Sequence, residues 1–426
     1  MEKFVLKGDI CYSTDTRTLQ TAEAAYLVCV DGKSAGVFET LPEQYQDLPL
    51  IDCSGQLIMP GLVDLHVHAP QFAFRSLGMD LELIDWLNTH TFPEESKYAD
   101  MAYAFSAYLA FVGDIQRGPN TRSVIFATRH VPATVLLMDL LEESGLSCMV
   151  GKVNMDRHAP EPLVETSAAQ SLADTRTWLS EVAGRYSRVS PILTPRFIPS
   201  CTDELMAGLG EIHREFGLPV QSHLSENKSE IDWVGALRPE AESYGHAYYR
   251  NGLFGGDVPT VMAHCVWPTA EEFALIKQQQ IRVAHCPQSN INLSSGIAPI
   301  RRYLDAGVPV GLGSDVAGGA NTSIFRAMSD AIGVSKLYWR LIDQDAAPLT
   351  LEEAFYLGTL GGGRFFGEVG SFAPGFEFDA LVIDDRSIPG RRDLEIADRL
   401  ARVVYLSDER HIVRKFVQGA AVALGT

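Results

Sequence analysis

The sequence predicts an α/β protein, a (β/α)8 TIM barrel carrying a small β-sandwich domain formed by both chain ends. Three observations lead there. Eight short apolar runs, many rich in β-branched residues, succeed one another through the middle of the 426 residues. Helix-like segments separate most of them, and both ends read as short strands and turns. The expected organisation is residues 1–59 and 371–426 for the two parts of the β domain, with the catalytic barrel over 60–370.

The N-terminal strands fall in "KFVLKGDICYS", "AAYLVCVDGKSAGVFE" and "PLIDCSGQLIMP", the second with a hairpin-like "DGKSAG" turn. The barrel strands are expected in "GLVDLHVH", "SVIFATRH", "LSCMVGKVNMD", "RVSPILTPRF", "LPVQSHLSE", "TVMAHCVW", "IRVAHCPQSN" and "VPVGLGSDV". Between them "TDELMAGLGEIHREFG" and "TAEEFALIKQQQ" have helical texture, while "EFDALVIDD" and "RVVYLSDERHIVRKFVQGAAVAL" return to strand texture. With 46% hydrophobic and 21% charged residues, the chain can bury a full barrel core and is neither disordered nor collagen-like.

Composition narrows the function. A net charge of -19, from 35 basic and 54 acidic residues without a Lys/Arg cluster, argues against nucleic acid and favours a neutral substrate such as a free nucleobase. Seven cysteines, an odd number without CxxC spacing, point to a reduced cytoplasmic protein. No signal-peptide pattern and no run of about 18 apolar residues occurs, so no membrane partner is expected. The chain lacks G-x-S-x-G and the phosphate-loop pattern, and "GTLGGGRFFG" does not match a dinucleotide fingerprint. Serine hydrolase, kinase and dehydrogenase chemistry fall away.

On a barrel of this kind catalytic groups sit at the C-terminal strand ends. His66 and His68 end strand one, Arg196 strand four, His223 strand five, His264 strand six, His285 strand seven and Asp315 strand eight. His66, His68, His223 and Asp315 offer three nitrogens and one oxygen to a divalent ion of zinc type, with a position left for water. A water held on such an ion becomes hydroxide near neutral pH, which supplies a nucleophile. Glu226, three residues beyond His223, is placed to carry the water's proton to a ring nitrogen, a transfer Asp315 can share; the competing reading is a helix cap after Ser225. His264 is expected to hydrogen-bond the water or the forming alkoxide, with direct ligation as the alternative, and His285 to be structural.

These residues, with "MPGLVDLHVHAPQFAF", "DWLNTHTFP", "TPRFIPSC", "QSHLSENKSEI", "AHCPQSNINLSSG" and "GLGSDVAGG", make the chain resemble the amidohydrolase superfamily and, within it, the guanine deaminase family. The resemblance implies one Zn2+ per subunit on the positions matching His66, His68, His223 and Asp315, Glu226 as proton shuttle, His264 as water-orienting group, and hydrolysis of guanine to xanthine and ammonia. Gln71, Arg196 and Phe197 match the positions that read and wall the purine. His223, Glu226 and Asp315 are expected to meet the substrate too. A homodimer is expected. The chain departs from the family pattern at Pro119 and Asn120, in the turn before strand two, and Lys152 ends strand three with no lysine ending strand four, which favours one metal over two. The alternatives are a relative deaminating or dechlorinating another nitrogen heterocycle, and a catalytically silent scaffold.

Overall fold

The structure, a computed structural model, describes residues 3–391 and 393–424. Its strands are β1 Lys3–Ser13, β2 Leu19–Val30, β3 Lys33–Phe38, β4 Leu50–Pro60, β5 Leu62–His68, β6 Asn120–Phe126, β7 Ser147–Gly151, β8 Val153–Asn154, β9 Val189–Pro191, β10 Thr194–Pro195, β11 Val220–Leu224, β12 Thr260–His264, β13 Arg282–His285, β14 Val310–Leu312, β15 Ala380–Ile383, β16 Ile412–Val417 and β17 Ala420–Val422. Each of the eight apolar runs of the middle contains a strand; the third and fourth are each broken in two.

Two parallel four-stranded arcs, β5-β6-β7-β9 and β11-β12-β13-β14, form the barrel wall, with β8 and β10 paired between them. Backbone hydrogen bonds join the arcs at both seams: Gln221 N to Leu193 O at 2.9 Å on one side, and Asp315 N to His66 O at 2.8 Å on the other. Val63, Leu65, Val124, Ile192, Val261, Ala263 and Ala284 fill the interior, while the complementary strand positions pack on the surrounding helices. The helices begin and end where their sequences dictate. Thr202 caps Asp203–Phe216 through Leu205 N and Gly217 ends it at φ 62°; Thr269 caps Ala270–Gln278.

Both chain ends share one seven-stranded sheet, ordered β17-β16-β15-β4-β1-β2-β3. Phe4, Phe378 and Phe416 centre its core, with ring centroids 5.2 and 5.1 Å from Phe4. Buried Arg122 on β6 locks this sheet to the barrel, donating to Asp379 at 2.7 and 3.2 Å. One strand-like reading is corrected. "RVVYL" belongs to the helix Ile396–Leu406, because Ile396, Leu400, Val403 and Val404 recur at helical spacing and are buried together. Among the described residues no helix is long and apolar enough to cross a membrane.

The turn at Pro119 and Asn120 is firmly held. Leu62 N donates to Pro119 O at 3.1 Å, and the Asn120 amide donates to Thr322 O at 2.7 Å while accepting from Ile324 N. Asn120 thus anchors the segment that follows the last barrel strand.

Candidate metal centre and purine pocket

Strand alternation alone would not converge these side chains. Val63 and Leu65 face the barrel interior, so His66 and His68 would face the helices if β5 were regular. A bulge corrects this: Asp64 pairs with Ser123 but Val67 with Ile125, so β5 holds one extra residue and its parity flips before the histidines. At β12 the interior positions are Val261 and Ala263, which again sets His264 on the wrong side. There the backbone turns instead, with φ of 72° at His264 and 49° at Cys265. Ser225 and Asp315 also adopt left-handed φ, both 46°, so non-glycine strain gathers along this rim. Gly313 meets a tighter limit, since a Cβ there would lie 2.8 Å from Cys286 Sγ and 2.9 Å from His66 Cβ.

The result is a tight cluster. His66 Nε2 and His68 Nε2 lie 3.1 and 3.5 Å from Asp315 Oδ1, and His68 Nε2 lies 3.2 Å from His223 Nε2. His66, His223 and His264 also bring ring nitrogens within 4.8 Å of one another. His223 Nδ1 is 2.7 Å from Arg196 O and must donate to it, which leaves its Nε2 lone pair for the centre. His264 Nδ1 likewise meets Asn290 Oδ1 at 2.9 Å. Among the described residues, buried His66 Nε2 and His264 Nε2 have no hydrogen-bond partner; an orphaned lone pair at His66 fits a cation, and one at His264 fits a cation or a water beside it. Burial, reinforced by His66, holds His68 and His223 well below the ordinary imidazole range, which keeps them neutral as ligands must be. Burial raises the Asp315 carboxyl, but the facing His66, His264 and His68 together outweigh it and hold it below the ordinary carboxylate range.

Glu226 stands beside the cluster. Its Oε2 is 3.4 Å from His264 Nε2, and its Oε1 accepts from Ser295 Oγ at 3.0 Å. Burial, then the Asp315 charge, pushes its carboxyl up to about 8. The helix Lys228–Leu237 is capped by Asn227 with Glu230 in a capping box, so capping does not employ Glu226.

One cavity joins this cluster to the predicted purine readers. Gln71, Arg196 and Phe197 line it with His68, His223, Glu226, His264 and Asp315. Leu83, Trp86, Leu87, Glu230 and Leu293 complete the wall. Arg196 is also ion-paired: Nη1 and Nη2 donate to the two oxygens of Glu95 at 2.5 and 3.1 Å. Glu95 went unnoticed in the sequence, where the only signal is an acidic pair closing "DWLNTHTFPEE". Phe197 stands edge-on to Trp233, ring centroids 6.2 Å apart.

Two residues lie outside the cluster. His285 follows the helix-facing Val283 by two positions and lines a separate cavity with Ile300, Arg301 and Tyr338. Burial, with the nearby His264, lowers it to about 3. The Lys152 ammonium donates to Glu165 at 2.5 Å in a buried pair, so it bridges nothing at the centre.

Imidazoles and a carboxylate converging at the C-terminal rim of a parallel barrel define a metal-dependent hydrolase. Residues 57–422 match the amidohydrolase family. The chain belongs to that family and, within it, to the guanine deaminases. It is 40% identical over 378 residues to the guanine deaminase of Dictyostelium discoideum, covering 87% of this chain and 83% of that protein. To the guanine deaminase of Escherichia coli (strain K12) it is 32% identical over 416 residues, covering 95% and 92%. The crystal structure of guanine deaminase from C. acetobutylicum with bound guanine in the active site superposes with a TM-score of 0.96 at 42% identity, over 99% of this chain and 100% of that one.

Proposed function

We propose that the chain hydrolyses guanine to xanthine and ammonia, with His66, His68, His223 and Asp315 holding one Zn2+ per subunit. The observation that carries the reading is the shared cavity, where hydrogen-bond donors of Gln71 and Arg196 face the His/Asp cluster and Glu226. The likeness to the guanine-bound relative supports it.

A divalent ion on this donor set supplies Lewis acidity that polarises water near neutral pH. Glu226 takes a proton from the attacking water and passes it to a ring nitrogen of the base. The water oxygen bonds to C2, the C2–amino bond breaks, and the amine leaves as ammonia carrying a second proton. C2 is left as a carbonyl, so guanine and water balance xanthine and ammonia. His264 Nε2, 3.4 Å from Glu226 and 3.7 Å from Asp315 Oδ2, orients the water, and Asp315 can share the proton. Phe197 walls the purine while Arg196 and Gln71 hold its oxo edge.

Seven buried cysteines, odd in number and without CxxC spacing, suit a cytoplasmic setting. Leu337, Leu341 and Ile342, exposed at one helix end, offer an apolar surface for a second copy in a homodimer. Ammonia release from guanine, adenine, cytosine, adenosine and ammeline is the test, with light scattering on the same preparation. Guanine should be the preferred substrate of a dimer. Faster release from another heterocycle would replace the substrate assignment, and a monomeric mass would remove the dimer.

A further inference from the structure

We infer that Glu95 sets the purine specificity of this site, as a positioning residue that forces Gln71 and Arg196 to present only N–H donors to one edge of the substrate. The inference rests on the guanine reading above. Glu95, Gln71 and Arg196 are all buried, at 3, 2 and 3% exposure, so none of their polar groups is free to choose water.

Gln71 Nε2 is 2.9 Å from Glu95 Oε1, and Gln71 Oε1 is 3.2 Å from Ala317 N. A carboxylate can only accept and a peptide nitrogen can only donate, so this amide has one orientation. Its oxygen and one N–H are committed, and the second N–H is what it can turn to the cavity. Arg196, also on Glu95, has donors alone. The Phe92 ring lies 5.1 Å from its guanidinium carbon, on the same short helix, Phe92–Glu95, as its carboxylate partner. One helical turn therefore fixes the plane and the charge of the purine reader. The adjacent Glu94 does not share the task, because it accepts from Lys97 Nζ and the Tyr103 hydroxyl.

Two consequences follow for substrate choice. Because Glu95 neutralises Arg196, the edge suits a neutral base and not an anion. Because both readers donate, the C6 oxygen of guanine is matched, whereas a C6 amino group meets donors with a donor. Without the carboxylate, Ala317 N alone holds the Gln71 amide and its Nε2 loses its anchor, while Arg196 keeps an unpaired charge.

The experiment compares guanine with 2-aminopurine, which retains the C2 amino group and lacks the C6 oxygen. For Glu95→Gln at equal metal content, kcat/KM on guanine should fall about tenfold to a hundredfold, mostly through KM, while that on 2-aminopurine changes less than about threefold. The guanine preference then contracts by about tenfold or more. A merely structural role would depress both substrates alike. Glu95→Asp keeps the charge on a shorter arm and should contract the preference less; it carries the test if the Gln variant does not fold. An active wild type whose variants keep its preference overturns this inference alone. A wild type that releases no ammonia from guanine overturns the functional reading, and this inference with it.

Discussion

Glu226→Gln separates proton transfer from everything else Glu226 does. The amide is isosteric, and its oxygen can still accept the 3.0 Å hydrogen bond from Ser295 Oγ. Burial and the Asp315 charge already push the Glu226 carboxyl up to about 8, so a neutral amide in its place removes no favourable charge contact. Stability should be unchanged or higher. An amide cannot carry the proton, and a positioned general base contributes about 10²- to 10⁴-fold. At about 1.36 kcal/mol per decade, the barrier should rise by about 2.7 to 5.4 kcal/mol. The assay is kcat by ammonia release beside metal analysis and thermal melting of the same sample. Equal metal content and melting temperature with turnover within about threefold of wild type would remove Glu226 from proton transfer.

His223→Ala deletes the nitrogen that Arg196 O orients, so metal content should fall along with activity; full occupancy with an unchanged tetrahedral spectrum in a cobalt-substituted sample would contradict ligation. Lys152→Met should leave metal per chain unchanged yet cost about 3 to 5 kcal/mol in denaturant unfolding, because Glu165 stays buried without its cation. Loss of metal in that variant would show instead that Lys152 serves the centre.

The strands and the chemistry of their tips were legible because both are written locally: β-branched runs, helix caps such as Thr202 and Thr269, and a His, Arg or Asp at the ends of strands one and four to eight. How those tips converge was not. His66 and His68, two apart on an extended strand, are expected to share a face, but only the bulge between Asp64 and Val67 decides that this face is the interior. His264 reaches the centre through a φ of 72°, for which "VMAHCVW" contains no glycine as warning. Glu95 was hidden for a different reason. It lies 101 positions from Arg196, and an acidic pair at a helix end ordinarily means a solvated surface.

The contacts that tie the two halves of the site together bear directly on catalysis. Arg196 touches both, since its carbonyl holds His223 at 2.7 Å while its side chain faces the purine cavity. Gln71 accepts from Ala317 N, two residues beyond Asp315, so the second reader is attached to the loop of the fourth ligand position. On the proposed assignment, a ligand position and a substrate reader are thus linked by one residue in the first case and by one hydrogen bond in the second. Hydrolysis needs C2 of the base within reach of the activated water to a fraction of an ångström, and misplacement by about 1 Å costs about a hundredfold. Attaching the readers to the same short segments that orient His223 and Asp315 makes that distance depend on local backbone geometry and, through Glu95, on the one short helix Phe92–Glu95 that holds both side chains.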